Sequence, residues 1–351
     1  MATTFKTLLP ADVVETRNRL HEAIPVTGTI ASGTYSDSNI KNHAHGMFQS
    51  VYDYPYLSSS ANHIFDLTAG YATDSAVASS ATTNQLAIKN NLYNQMAQVL
   101  VGHDADGNIR KFDEDGNLTS GDKLEETYFI NFARLLTKDE IKKGSFNLQM
   151  YLSGNSPVGS ATARLNLASI QDLNGATTYK VNSPAGEYGV LYTGSVATGS
   201  AAVGLVYYQA GVAVLTASIF DAGVAGNTQA AMLASTYTGS AELLASGTVE
   251  NVADALRHRL HNVSFNNTTE LNSTVYFCRA NANEFNYSSN PTYLTGSQIR
   301  VKNVAGDEPV SYITTVGLYS ADNELLAVGK VSEPIKKTPS NSLTLRVRTD
   351  W

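Results

Sequence analysis

The sequence predicts an α+β fold that is mainly β: an antiparallel sheet with a few packed helices, plus an inserted small β-domain. Three observations predict it. Apolar and polar residues alternate with a period of two through residues 309–351. Two stretches, 84–102 and 248–260, repeat apolar residues at three and four. Between 153 and 247 charge nearly disappears and Gly, Ala, Ser and Thr dominate.

Taken in order, residues 11–24 read as a helix with Val13, Val14, Leu20 and Ile24 on one face and Pro25 ending it. Residues 26–83 hold an aromatic island, Phe48, Tyr52, Tyr54, Tyr56 and Tyr71, and are expected to be irregular structure pinned by aromatic contacts. Residues 84–102 give the clearest helix, through Leu86, Leu92, Tyr93, Met96, Val99 and Leu100, with Gly102 as its stop. It should pack on the main sheet. Two copies of Asp-x-Asp-Gly-Asn, at 104–108 and 113–117, read as turns flanking a short strand. A strand is expected over 125–136, a short helix opening at the capping box Thr137-Lys-Asp-Glu140 and stopping at Gly144, and a strand over 146–152.

From 153 to 247 the charged residues are Arg164, Asp172, Lys180, Glu187, Asp221 and Glu242 alone, and residues 203–208 and 212–220 flank Gln209-Ala210-Gly211 as a hairpin. This composition marks the segment as an inserted β-sandwich or barrel-like domain. Residues 1–152 and 248–351 then form the N-terminal and C-terminal parts of one main domain. Thr248 caps a helix to Leu260, strands are expected over 263–265 and 274–279, and residues 309–351 close the chain as a β-meander. In that last strand Leu343, Leu345 and Val347 share one face, and Thr344, Arg346 and Arg348 the other.

Composition narrows function. The net charge is −7 and Lys and Arg are not clustered, which disfavours a nucleic-acid binder that must neutralise many phosphates. No run of 18 apolar residues is present, and residues 1–6 lack a basic-then-apolar leader, so membrane insertion is not expected and synthesis should finish in the cytoplasm. A lone Cys278 forbids an intramolecular disulfide. Only 16% of residues are charged while Tyr numbers 19 and Gly 26, a surface better suited to being covered by neighbours than to free solution.

Candidate chemistry is sparse. Asp104, Asp106 and Asn108 have calcium-loop spacing, but Ile109 stands where an EF-hand needs glycine and Asp115 where it needs glutamate, so a turn is the better reading. His43 with His45, and His258 with His261, lack a third ligand at a recognisable spacing. Neither a nucleophile elbow nor a phosphate loop occurs. No catalytic residue, cofactor site or metal site is assigned. The candidate functional residues are therefore interface residues: Arg257 and Arg259 on the basic face of the 248–260 helix, and Arg346, Arg348 and Trp351 on the final strand.

The string Ser311-Tyr-Ile-Thr-Thr-Val-Gly-Leu-Tyr-Ser-Ala-Asp-Asn-Glu-Leu-Leu-Ala-Val-Gly-Lys, closed by Leu-Arg-Val-Arg-Thr-Asp-Trp, resembles a virion structural protein of contractile-tailed cyanobacterial phages. The likeness extends to 285–293, 265–277 and 128–144 and thins between about 153 and 247. The shorter Ile-Thr-x-Val-Gly-Leu-Tyr pattern resembles attachment domains of phage fibres and baseplates. The resemblance implies a non-enzymatic tail component, a baseplate wedge or fibre-attachment protein, present in multiple copies and partnered by other tail or baseplate proteins. It brings no catalytic residues. The alternatives are a host-surface or glycan-binding module of a tail fibre, and a neck or collar protein.

Overall fold

The structure is a computed structural model, and it describes residues 5–26, 40–52, 63–79, 83–153, 165–194, 202–220, 239–288, 294–295, 298–299, 306 and 308–351. Two compact units are present: Leu20–Thr269, the core unit, and Met1–Arg19 with Glu270–Trp351, the terminal unit. Strands hold 48% of the described residues against 19% in helices, so the protein is mainly β, built on a large antiparallel sheet with five α-helices among the described residues.

After a 3-10 turn at Pro10–Asp12 the chain enters β1 (Val13–Val26), which replaces the helix expected over 11–24. Val13, Val14 and Thr16 are β-branched, and the four apolar residues of the expected helix face offered little to bury. Pairing with a long strand near the C-terminus decides the conformation. β2 (Ile40–Asn42), β3 (Gln49–Tyr52) and β4 (His63–Tyr71) pair successively where irregular structure was expected. Tyr54 and Tyr56 fall outside the described residues.

α1 (Thr83–Leu100) is the expected helix and packs on β4. The approach is close enough to require Gly70, since a Cβ there would lie 2.7 Å from both Lys89 O and Tyr93 N. β5 (Phe112–Asp113) pairs with β6 (Lys123–Leu124), and β7 (Glu126–Phe132) is the strand expected over 125–136. α2 (Arg134–Thr137) ends where the capping box was expected to start a helix. Lys138 takes φ 53°, and β8 (Glu140–Ile141) follows, because Asp139 and Lys142 donate their N–H groups to Thr268 and Asn266. Long-range pairing overrides the local cap signal.

β9 (Asn147–Ser153) leads to β10 (Leu165–Gln171), α3 (Gly175–Thr178), β11 (Tyr188–Thr193), β12 (Ala202–Tyr207) and β13 (Val212–Thr216). The predicted hairpin is present, with Tyr207 opposite Val212. The predicted domain boundary is not. β10 pairs with β9, β13 pairs with β7, and β7 with β4, so the order β9-β10-β11-β12-β13-β7-β4-β3-β2 places the 153–247 strands inside the main sheet.

Burial explains the misleading composition. Along β13, Ala213 and Leu215 enter one hydrophobic cluster while Val212 and Val214 enter the other, so both faces of the strand are covered. β7 does the same, with Tyr128 and Ile130 on one side and Phe129 on the other. Strands covered on both faces have little room for charge.

α4 (Ser240–Ser246) precedes α5 (Val249–Arg259), whose N-cap Thr248 accepts the Asn251 N–H at 3.2 Å as predicted. The two strands expected at 263–265 and 274–279 are one, β14 (Leu260–Ala280), which pairs with β9 through its first residues. In the terminal unit follow β15 (Leu294–Thr295), β16 (Gln298–Ile299), β17 (Ser311–Tyr319), β18 (Leu325–Lys337) and β19 (Leu343–Asp350). The predicted hairpin is β17–β18. The third strand does not extend it as a meander: β19 pairs with β14, from Ser273 opposite Asp350 to Ala280 opposite Leu343.

Candidate functional site

Of the five candidate interface residues, two are misplaced by sequence reasoning. Arg257 and Arg259 are each 1% exposed, because α5 packs on β3, β4 and β9 and takes its basic side into the core unit. Arg257 pairs with Asp254 at 2.9 Å. Arg259 donates to the Tyr151 carbonyl at 3.1 Å and lies 5.3 Å from the Phe220 ring centroid, and burial draws its pKa down to about 10. These arginines brace the core rather than face a neighbour.

The other three stand on the terminal unit. The alternation of β19 is as predicted, with Leu343, Leu345 and Val347 half-buried and Arg346 and Arg348 on the exposed side. Arg348 is held by Asp350 at 2.7 Å and by Ser273 Oγ at 3.0 Å. Arg346 makes no ion pair among the described residues. Trp351 is tied through its backbone to Asn272, yet 75% of it is exposed.

These residues belong to a surface of unusual composition. The hydrophobic clusters both lie in the core unit. Among the described residues of the terminal unit, only Val275 and Ala280 are buried hydrophobics, whereas Phe5, Leu9, Val14, Leu271, Phe285, Tyr287, Tyr312, Tyr319, Leu325, Leu326, Val328 and Trp351 are exposed. A groove of about 1050 Å³ runs through this surface between β17 and a wall formed by residues of β14, β19 and the Phe5–Leu8 segment. Phe5 packs edge-on against Tyr319 at 4.8 Å, while Phe285, Tyr287 and Tyr312 line the groove further along.

What holds the unit is polar. The Lys337 side chain is completely buried and donates to Asn286 Oδ1 at 2.7 Å, Thr338 O at 2.8 Å and Ala282 O at 3.1 Å. Ser311 Oγ donates to Phe285 O, and Asp12 accepts from Leu9 N at 3.1 Å and pairs with Arg279 at 2.6 Å. No local pattern in the sequence around Lys337 marks this role.

Elsewhere the structure assembles one polar cluster the sequence did not reveal. His43 Nε2 lies 3.0 Å from Ser50 Oγ, which donates to Asp66 Oδ1 at 2.6 Å, and His63 Nε2 lies 2.8 Å from the same oxygen. His45 stacks on His43 at 5.1 Å. The order is wrong for nucleophile activation: the serine hydroxyl donates its hydrogen bond to the carboxylate itself, and no imidazole stands between them. Among the described residues no three His, Cys, Asp or Glu side chains are placed to hold a metal ion. The first acidic repeat forms a turn, with Asp104 Oδ1 accepting from Asp106 N and Asn108 N. Tyr188, Tyr207, Tyr208 and Phe220 are buried, so they offer no aromatic platform to a glycan. No described helix is long and apolar enough to cross a membrane. Neither a family model, nor a curated protein, nor a solved structure matches the chain.

Proposed function

We propose that the protein is a non-enzymatic structural subunit of a contractile phage tail, a baseplate wedge or fibre-attachment component, and that its terminal unit is the assembly element. The observation that carries the assembly role is the inverted burial of that unit, which among its described residues covers Val275 and Ala280 while leaving twelve large apolar side chains open. Six of these side chains, Phe5, Phe285, Tyr287, Tyr312, Tyr319 and Leu326, line one groove, and exposed apolar surface gathered in this way marks an interaction site. Covering one such side chain fully is worth roughly 1.5–3 kcal/mol, so most of the set must be covered together to reach the roughly 4–15 kcal/mol that association costs. The tail assignment rests on the sequence resemblance at 311–330 and 345–351.

A glycan-binding role draws on the same aromatic groove. Its recognition chemistry favours protein over sugar: Asp12 is the lining carboxylate, and it is committed to Arg279 and Leu9 N. The test is incorporation. Arg346→Glu reverses an exposed charge on the face of β19 opposite Leu345, and if that face meets a neighbour it should block entry into particles while leaving the unfolding midpoint of the free protein unchanged. Normal incorporation of that variant would count against a subunit contact on this face.

A further inference from the structure

We propose that the turn from His43 to Phe48, which joins β2 to β3, is an acid-sensitive latch: neutral imidazoles close it, and proton uptake by His43 and His45 opens it and frees β2 from the end of the main sheet. The latch lies wholly in the core unit and is independent of the assembly surface. Hydrogen bonds fix which ring nitrogens carry protons. Ser50 Oγ donates its one proton to Asp66 Oδ1 at 2.6 Å, so His43 Nε2, 3.0 Å from that hydroxyl, must be the donor to Ser50. His45 Nδ1 accepts the Met47 N–H at 3.1 Å, which only an unprotonated nitrogen does. A proton on that nitrogen removes the acceptor and leaves two N–H groups facing each other.

The rings are also placed so that their charges would conflict. His43 and His45 stack with planes 5° apart and centroids 5.1 Å apart, and both rest on Phe48, at 4.7 and 4.8 Å. Burial lowers the pKa of His43 below its ordinary value, and His45, Lys41 and His63 lower it further, against the pull of Asp66. The surrounding titratable groups are Lys41 on β2 and His63 and Asp66 on β4, while β3 adds no charged side chain. α5, which packs on β3 and β4, brings Asp254, Arg257 and His258, and Asp254 is already paired with Arg257 at 2.9 Å. Asp66 Oδ1 is shared, since it also meets His63 Nε2 at 2.8 Å. Protons on all three imidazoles beside Lys41 would therefore set four positive charges against the one carboxylate of Asp66. The sign follows from the depressed value: the stability that neutral His43 contributes is present above 6.5 and is lost as pH falls through its lowered pKa.

The opening is local because little else holds β2. Its ladder is three residues long, Ile40 opposite Val51, Lys41 opposite Ser50 and Asn42 opposite Gln49, and it stands last in the strand order. Ser50, at the middle of that ladder, is the residue His43 grips. Gln49 Nε2 ties Asn42 at 2.8 Å, and Gly46 N closes the turn on His43 O at 2.9 Å. Met47 O, by contrast, is fastened to Thr68 Oγ1 at 2.6 Å, so the β3 side of the turn stays with β4 when the β2 side leaves. A strand this short opens at low cost once its turn is lost.

Hydrogen–deuterium exchange of the full chain at pH 7.5 and pH 5.5, normalised to the intrinsic rate at each pH, tests the latch. In the wild type the amides of 40–48 should exchange about tenfold faster or more at the lower pH, while those of α1 stay unchanged. His43→Gln/His45→Asn should abolish the difference. Glutamine still donates to Ser50, asparagine still accepts the Met47 N–H in an Asx-turn, and neither takes up a proton in this range. Equal normalised exchange of 40–48 at the two pH values in the wild type overturns the proposal, as does an acid-induced rise that persists in the double variant. Where the double variant already lacks protection at pH 7.5, His45→Asn alone decides by the same comparison: a smaller rise than in the wild type supports the latch, and an equal one overturns it.

Discussion

Two buried ionisable side chains set the energetics at the residue scale. The Lys337 ammonium has three neutral acceptors, two of them 51 and 55 residues earlier in the chain, so no local pattern could have announced it. The alternation of Leu343, Leu345 and Val347 was legible because it is a property of one strand. Lys337→Met strands the Asn286 and Ala282 acceptors, and it should cost roughly 2–4 kcal/mol. Limited proteolysis would register this as earlier cleavage within β17–β18 than in the core unit. Asp172 accepts from Gly144 N at 2.6 Å, Phe146 N at 2.9 Å and Tyr208 Oη at 3.1 Å, all of which favour the carboxylate. Burial outweighs them and pushes its pKa up from 3.8 to about 6. The folded state therefore binds the extra proton between these values. Its contribution to stability is complete below 3.8 and is lost as pH rises through 6. Denaturant unfolding at pH 4 and pH 7 should show a loss on the order of 2 kcal/mol in wild type that is missing in Asp172→Asn, which cannot titrate.

Elements were legible where the signal was local and hidden where pairing decided. α1 and α5 follow from apolar spacing, with the Thr248 cap fixing the start of α5. β1 and β8 were misread as helices because their conformation comes from β14, more than a hundred residues away. The low charge of 153–247 was read as a separate domain, although it records burial of β11–β13 on both faces. This correction has a direct consequence. Deleting 153–247 removes β10–β13 from the middle of the sheet and strips side chains from both hydrophobic clusters. The truncated chain is expected to lose its cooperative denaturant transition, whereas an independent insertion would leave one intact.

At the scale of the whole molecule, the protein divides its labour by where it places apolar side chains. The core unit covers its own, on both faces of a long sheet; the terminal unit displays them along β17, β18 and the Trp351 end. The sequence carried half of this. Alternation in the last three strands was plain, but one strand's alternation says only that a face can be covered, not whether the covering comes from the same chain. Likewise Arg257 and Arg259 read as surface charge until α5 was seen to turn them inward. On the proposed function, another protein supplies the missing cover. Hydroxyl-radical footprinting of the free chain and of assembled particles measures it side chain by side chain. Tyr312, Tyr319, Leu326 and Trp351 should be reactive in the free protein and strongly protected in particles, while exposed core-unit residues such as Val99 and Leu135 should change less. Equal reactivity of the four in both states would contradict it.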